Sequence, residues 1–368
     1  MKIIVDGTVL EQPATGIAKS LLELYKKCIE LDHSLEVTVI HRKPLKISLP
    51  NGIKSKQISI NFTDKLNINN ILWRYVILPC YILKNRPKFV HFPWNGNVPP
   101  FIRVYTNIVL TIHDVLPLTI PDYFKSKNER DKYIKSLQTS INRSKKIFTV
   151  SEYSKKEILQ NFVVDVDIEV ILHGSTLKKV KTESKGNPKF KYFLYVGGYD
   201  PRKGLEKLLK VFLKLHEEKK LRNKLVLTGS KNYFSPSFKN LVTEGVNSGI
   251  VIEKGYITDE ELSLLYSNAT ALIYPSKYEG FGLPVLEAMS MGCPVITTKC
   301  TSIPEVCGDA AYYVDVDNEI NLSEALIKLE TDVNLQKSLI NKGKQRASKF
   351  SWSSSAKIFL EKLMKNQK

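Results

Sequence analysis

Two acids, Glu279 and Glu287, flank seven residues in the stretch YEGFGLPVLEAMSMGCP, residues 278 to 294, and three of those seven are Gly280, Gly282 and Pro284. Glycine strips a loop of side chains, so a ligand can approach the backbone closely. Pro284 suits a first helical position and Gly292 a stop, which predicts a helix of about two turns over PVLEAMSM. The start of such a helix offers free N–H groups and the positive end of its dipole, a combination that wants an anion. Two carboxylates beside it would repel a bare phosphate. They fit a phosphate flanked by neutral hydroxyls, as in a sugar nucleotide, with Glu287 accepting from the ribose and Glu279 from the second sugar. The plainer reading leaves Glu279 an exposed loop acid and Glu287 a helix residue without a ligand.

A second constellation is GGYDPRKG, residues 197 to 204. Gly197 and Gly198 clear space, and Arg202 and Lys203 are delivered where a diphosphate could lie. Two cations there would stabilise a departing diphosphate by charge alone. A solvated basic turn has the same composition. Near the N-terminus, GTVLEQPATGIAKSLLEL, residues 7 to 24, is a strand-to-helix loop in which Gly16 opens a helix with Ile17, Leu21 and Leu22 on its inner face. Gly16 could admit a phosphate or sugar there. His113 ends a buried strand in TIHDV, where a histidine is either a satisfied core residue or a ligand contact. Asp114 beside it either orients that ring or caps the next turn. His41, His91, His173 and His216 lie in no motif and read as structural.

The elements that must hold these residues form a repeating pattern. KIIVD, EVTVIH, KFVHF, NIVLTIHD, KIFTVS and EVILHG are short β-branched runs separated by helical periodicity. Strands alternating with helices indicate βαβ units on a parallel sheet. The alternation breaks at KKVKTESKGNPKFK and restarts with YFLYVGG, KLVLTGS, GIVIEKGY, ATALIYPS, PVITT and AAYYVD. The expected organisation is a first Rossmann-like domain over 1–177, a linker over 178–191, a second Rossmann-like domain over 192–349 and a closing helix over 350–368. Ligands of such open sheets bind beyond the carboxyl ends of the strands, here in a cleft between the two domains. The closing helix is amphipathic, with Trp352, Ile358, Phe359 and Leu363 as its expected apolar face.

Residues 272 to 315, LIYPSKYEGFGLPVLEAMSMGCPVITTKCTSIPEVCGDAAYYVD, resemble the donor site of the retaining glycosyltransferases of family GT4. Those enzymes have the GT-B fold, two doubly wound parallel-sheet domains facing across a cleft, with the C-terminal helix returning toward the N-terminal domain. YVGGYDPRKGLEKLL, GYITDEELSLLYSNA, TIHDVLPLTIPDYF and VSEYSKKEI match in the same order, so the likeness covers nearly the whole chain. It implies a nucleotide-sugar donor held mainly by the C-terminal domain and an acceptor, a glycan or lipid-linked glycan, held mainly by the N-terminal one. Arg202, Lys203, Gly16, Gly282 and Leu283 would then meet the donor diphosphate. Glu279, Gly280 and Phe281 would meet the donor sugar, Glu287 the ribose, and His113 the sugar near the transition state. Some members carry an arginine directly after the first glycine of GGYDPRKG; Gly198 stands there, which puts the full phosphate clamp in doubt. The nearest pattern is similar to bacterial mannosyltransferases of polysaccharide and O-antigen assembly, with GDP-mannose as the implied donor. UDP-sugar-dependent transferases and nucleotide-sugar epimerases share the fold and stay open as alternatives.

Composition bounds these readings. The 368 residues are 43% hydrophobic, enough for two packed cores, and carry a net charge of +18. A basic balance suits phosphorylated substrates or an anionic membrane, and a lysine-rich genome produces it with no partner at all. The segment 125–146 reads as a helix with Tyr133, Ile134, Leu137 and Ile141 inward and a basic outer face. That face is either solvated or in contact with anionic lipid headgroups. No nucleic-acid module is present, so nucleic acid is not an expected partner. A purely basic membrane or nucleic-acid binder is the non-enzymatic alternative. The apolar run YVILPCYIL is far short of the roughly 20 residues of a bilayer span. MKIIVDG reads as a strand, and five scattered cysteines suit a reducing cytoplasm. Two DVD triplets, 165–167 and 315–317, have the spacing of a metal-diphosphate signature but read as surface-turn acids. Neither a catalytic metal nor a cofactor is expected.

Overall fold

The computed structural model describes residues 1–12, 15–59, 68–100, 102–121, 123–178, 190–233 and 235–365. The chain forms two compact units, one of Met1–Gly174 with Ser351–Lys368, the other of Ser175–Phe350. The break after Gly174 falls three residues before the expected boundary at 177. Ser175 and Thr176 belong to the second unit because their hydroxyls meet Ser290 and Glu287 on the helix Leu283–Met291. Of the expected linker 178–191, residues 179–189 lie outside the described residues.

The first unit is built on β1 (Lys2–Asp6), β2 (Glu36–His41), β3 (Ile53–Gln57), β4 (Phe89–Phe92), β5 (Asn107–Thr111), β6 (Lys146–Thr149) and β7 (Ile168–Val170), in the order β3-β2-β1-β4-β5-β6-β7. Every ladder is parallel. Side chains alternate across a strand, so Ile3 and Val5 join the core on one face while Ile4 joins the core on the other. β3 is the strand that periodicity missed. It is an edge strand, its KSKQ side chains are exposed, and Ile53 alone is buried.

The second unit repeats the plan with β8 (Tyr192–Val196), β9 (Lys224–Thr228), β10 (Val251–Gly255), β11 (Ala271–Tyr274), β12 (Val295–Thr298) and β13 (Tyr312–Val314), in the order β10-β9-β8-β11-β12-β13. Both sheets therefore reverse strand order at one point, between β1 and β4 and between β8 and β11, where open α/β sheets take ligands.

The closing helix, Trp352–Met364, belongs to the first unit and packs on the helix Gly16–Leu31. Its inward face is Trp352, Ala356, Phe359, Leu360 and Leu363. Ile358 is 40% exposed and does not belong to that face. It precedes Phe359 by one residue, a rotation of about 100° that carries it to the side of the helix. The expected basic helix runs Lys127–Arg143, buries Leu137, Ser140 and Ile141, and is capped by Ser126. Among the described residues no helix is long and apolar enough to cross a membrane.

Candidate active site

In the second unit the two loops at the switch point are tied together. After β8 the chain makes a single 3-10 turn, Pro201–Lys203, with the Asp200 carboxylate accepting from the Arg202 N–H. Gly204 then takes φ 70 and starts the helix Leu205–Glu217. A Cβ on Gly204 would lie 2.3 Å from the Pro275 carbonyl oxygen of the loop after β11, so only glycine fits. The Lys277 N–H donates to the Arg202 carbonyl at 2.8 Å, closing the seam.

This seam brings Arg202 and Lys203 against Glu279. Lys203 Nζ lies 2.5 Å from Glu279 Oε1 and donates to the Tyr274 hydroxyl at 2.8 Å, and Arg202 Nη1 is 3.5 Å from the same carboxylate. Arg202 also donates to the Tyr278 carbonyl at 2.9 Å. Ser276 Oγ donates to Glu279 Oε1 at 2.5 Å, and the Glu279 backbone is held by Thr301 and Ser302. Lys203 and Glu279 are both nearly buried. Burial penalises the Glu279 charge, yet Lys203 and Arg202 together hold its pKa below the ordinary carboxylate value. Burial also lowers the Lys203 pKa, and one carboxylate shared with Arg202 does not fully offset it. Asp200, on the exposed side, pairs with Arg202 Nε at 3.6 Å, so the two cations meet one buried and one solvent-exposed carboxylate, and only in the buried part of the cluster do cations outnumber carboxylates.

Past Glu279 the chain turns through Gly282 at φ 100 into the helix Leu283–Met291, which Gly292 ends at φ 79. Pro284 occupies the second helical position, one later than its preference predicts, because Gly282 rather than Leu283 is the cap. The Phe281 side chain is buried edge-on against Phe350. Glu287 is 9% exposed and accepts from Thr176 Oγ1 at 3.5 Å and Tyr266 OH at 3.4 Å. Glu279 and Glu287 are thus anchored separately. Glu279 is part of the cationic cluster, while Glu287 sits in the helix among hydroxyls.

In the first unit His113 follows β5 and is almost buried. Its Nε2 lies 3.0 Å from the Pro93 carbonyl, so that nitrogen carries the proton and Nδ1 is the ring's acceptor. Burial lowers its pKa to about 4, and the ring is neutral near pH 7. It stacks on His173 at 6.1 Å, which in turn meets Trp352 of the closing helix at 5.0 Å. Asp114 caps the following turn by accepting from the Leu116 N–H, and the ring is oriented by Pro93. Asn95 Oδ1 takes the His113 N–H at 2.9 Å. Gly16 is the first residue of the helix Gly16–Leu31, which Thr15 caps through Ala18.

Reading the letters missed the supporting groups: Tyr274, Ser276, Thr301 and Ser302 around Glu279, Tyr266 and Thr176 on Glu287, and Pro93 and Asn95 at His113. Tyr274 and Ser276 lie in ATALIYPS, where the strand signal hid them. Asp317, in the second DVD triplet, is bound by Lys277 at 2.8 Å and by Lys207. No group of three His, Cys, Asp or Glu side chains among the described residues could hold a metal ion.

Residues 14–178 match the family described as Glycosyltransferase Family 4, and residues 178–346 match Glycosyl transferases group 1. The chain is 30% identical over 377 residues to the O-antigen chain mannosyltransferase B of Escherichia coli, covering 96% of each. Its fold is similar to that of sucrose-phosphate synthase from Thermosynechococcus elongatus, with a TM-score of 0.78, 18% identity, and 98% of this chain and 97% of the other covered. It is also similar to Anabaena HepE in complex with UDP and glucose, with a TM-score of 0.72, 15% identity and 99% of each chain covered.

Proposed function

The chain belongs to the family 4 glycosyltransferases, and from that premise we propose that it transfers a hexose from a nucleotide sugar to a hydroxyl of a glycan or lipid-linked glycan, with retention and without a metal ion. Mannose from GDP-mannose is the first donor to test, since the Escherichia coli relative is an O-antigen chain mannosyltransferase. The observation that carries the reading is the buried cluster of two cations and one carboxylate at the β8/β11 switch point.

The acceptor oxygen forms the new bond to the anomeric carbon as the bond from that carbon to the diphosphate breaks. Negative charge then grows on the diphosphate. Lys203, Arg202 and the positive dipole end of the helix Leu283–Met291 meet it with fixed charge and dipole, so no reorganisation is needed during the step. Glu279 keeps both cations charged at low exposure and accepts from hydroxyls of the transferred sugar. Glu287 accepts from the ribose, and the neutral His113 accepts a sugar hydroxyl on Nδ1.

Isothermal titration with GDP and UDP, followed by a donor-hydrolysis screen of GDP- and UDP-sugars, tests this without knowledge of the acceptor. Binding of a nucleoside diphosphate that weakens in Lys203→Met is expected. No binding of any nucleoside diphosphate or nucleotide sugar would end the proposal, and a UDP-sugar hydrolysed in preference to GDP-mannose would replace the donor.

A further inference from the structure

In the first unit residues 68–85 are helical throughout: α-helix over Ile68–Leu72, a π-helical turn over Trp73–Ile77, and α-helix again over Leu78–Asn85. A π-turn is rare and concentrates at functional sites. Trp73, Leu78 and Ile82 point into the core beneath. A helix lying on a core ordinarily turns charge to the water. The helix Gly16–Leu31 does so, with Glu23 beside Lys26 and Lys27 beside Glu30 on its outer side. Residues 68–85 do not. Ile71, Tyr75, Val76 and Leu83 are each between 40% and 54% exposed, so the run is apolar on its outer side as well. The 3-10 turn Ile102–Val104 lies against Leu78–Asn85 and adds Val104, 74% exposed, and Tyr105. Large apolar side chains gathered in this way mark an interaction surface.

Charge on this surface has one sign. Residues 65–113 hold six Lys or Arg and no Asp or Glu, although 37 of the 368 residues are acidic. Arg74, Tyr75 and Arg103 all act on the Arg143 guanidinium, whose pKa is lowered by burial and by its two arginine neighbours, so the four side chains share one region. Arg143 is fixed by donating to the Val98 carbonyl at 2.7 Å, and Arg74 by donating to Asn97 Oδ1 at 3.1 Å. None of the three arginines forms an ion pair among the described residues.

Aliphatic and tyrosine side chains among unpaired guanidinium groups match the interface of an anionic bilayer. The apolar groups enter the acyl boundary, tyrosine sits at headgroup level and arginine meets phosphate. A second copy of the chain matches poorly, because a two-fold contact sets this patch against itself, arginine facing arginine. The helix Lys127–Arg143, which suited a membrane from its spacing, also fits less well: Glu129 and Asp131 lie among its cations, and none of its large apolar residues is exposed.

We propose that the first unit docks on an anionic membrane through the surface formed by residues 68–85 and 102–105. The docking needs neither donor nor acceptor, so it is independent of the transferase reading.

The test is co-sedimentation of the full chain with vesicles of phosphatidylcholine alone and of equal parts phosphatidylcholine and phosphatidylglycerol. Binding to the anionic vesicles should be at least about tenfold stronger. Tyr75→Ser with Val104→Ser should weaken it by about tenfold or more, and Arg103→Gln by about fivefold. Lys132→Gln with Lys135→Gln, on the helix Lys127–Arg143, should leave it nearly unchanged. Arg103→Gln, at an exposed position, reads the same surface where the double variant fails to fold. Nucleoside diphosphate, titrated on the same samples, should bind every variant as it binds the unaltered chain. Equal binding to both vesicles, no binding to either, or loss through the Lys132 and Lys135 pair rather than through Tyr75 and Val104 overturns the inference. So does a dimer in sedimentation velocity that Tyr75→Ser with Val104→Ser disperses, since that assigns the surface to a second copy. If nucleoside diphosphate still binds in those cases, the proposed function stands without it.

Discussion

At the strand ends of the second unit, Lys203 and Arg202 already have a carboxylate to meet, whereas at the strand ends of the first His113 is neutral and Arg74 faces no described carboxylate. The strand order around the two switch points is the same. What differs is how burial is tolerated. Burial disfavours any isolated charge. At Lys203 and Arg202 the second unit answers with a counter-ion, as the first does where Arg42 pairs with the buried Glu11. Around His113, however, the first answers by keeping its rings uncharged. One solution presents fixed charge to a ligand; the other presents hydrogen-bonding nitrogens whose neutrality depends on pH.

Acid should separate the two units most. Burial lowers the pKa of His91 to about 3, His113 to about 4 and His173 to about 3, and all three lie in the first unit. Between those values and the ordinary 6.5 the unfolded chain binds more protons than the folded one, so stability present above pH 6.5 is lost as the pH falls. By pH 5 each histidine should cost about 2 kcal/mol, and the three together on the order of 6 kcal/mol. Protonation of Asp6, whose pKa burial raises, offsets a part. Glu279, with a lowered pKa, begins to cost stability only below its ordinary 4.5. Hydrogen exchange followed from pH 7 to pH 5 should therefore show the first unit opening before the second. Simultaneous loss of protection, or the second unit opening first, would erase the distinction.

The charged half of the comparison breaks with Lys203→Met. Transfer should fall by roughly 10³-fold, as for loss of a fixed charge at the developing anion. Stability should drop by about 3–5 kcal/mol because Glu279 keeps a buried charge with Arg202 as its remaining partner. Lys203→Met with Glu279→Gln should recover most of that stability and none of the activity. If the double variant transfers sugar normally, the cluster is structural.

Glu279→Gln alone sharpens the role of the counter-ion. It removes the carboxylate that both cations share, leaving Asp200 on Arg202, while keeping shape and one hydrogen-bond acceptor, so nucleoside diphosphate should bind more tightly as transfer drops by roughly 10²-fold. Parallel loss of binding and turnover would mean that Glu279 only holds the loop.

The charged site was also the more legible one. Its loops are punctuated by Gly280, Gly282, Pro284, Gly197 and Gly204, and each follows an unbroken apolar strand, so both position and polarity could be read from local spacing. Partners contributed by remote loops could not. Thr176 reaches Glu287 from 111 residues away, and Tyr266 comes from the preceding helix. The Trp73–Ile77 turn was hidden for another reason. Residues 75–83 are a continuous apolar run, and such a run carries no period that would separate an α-helix from a π-turn. β3 carried too little apolar signal, and Ile358 too much for its place on the helix.

The smallest effect is expected outside both sites. Asp317 stands between Lys277 and Lys207 on the surface, with all three side chains well exposed. Exposed ion pairs of this kind contribute less than about 1 kcal/mol. Asp317→Asn should leave the thermal midpoint nearly unchanged, and because the carboxylate serves two lysines rather than a metal-bound diphosphate, transfer should also be unchanged, with and without a chelator. A loss of transfer in Asp317→Asn that added divalent cation restores would move the diphosphate to this triplet and make the Lys203 cluster a structural seam. Unaltered kinetics under all four conditions would leave Lys203 and Arg202 as the charges that meet the diphosphate.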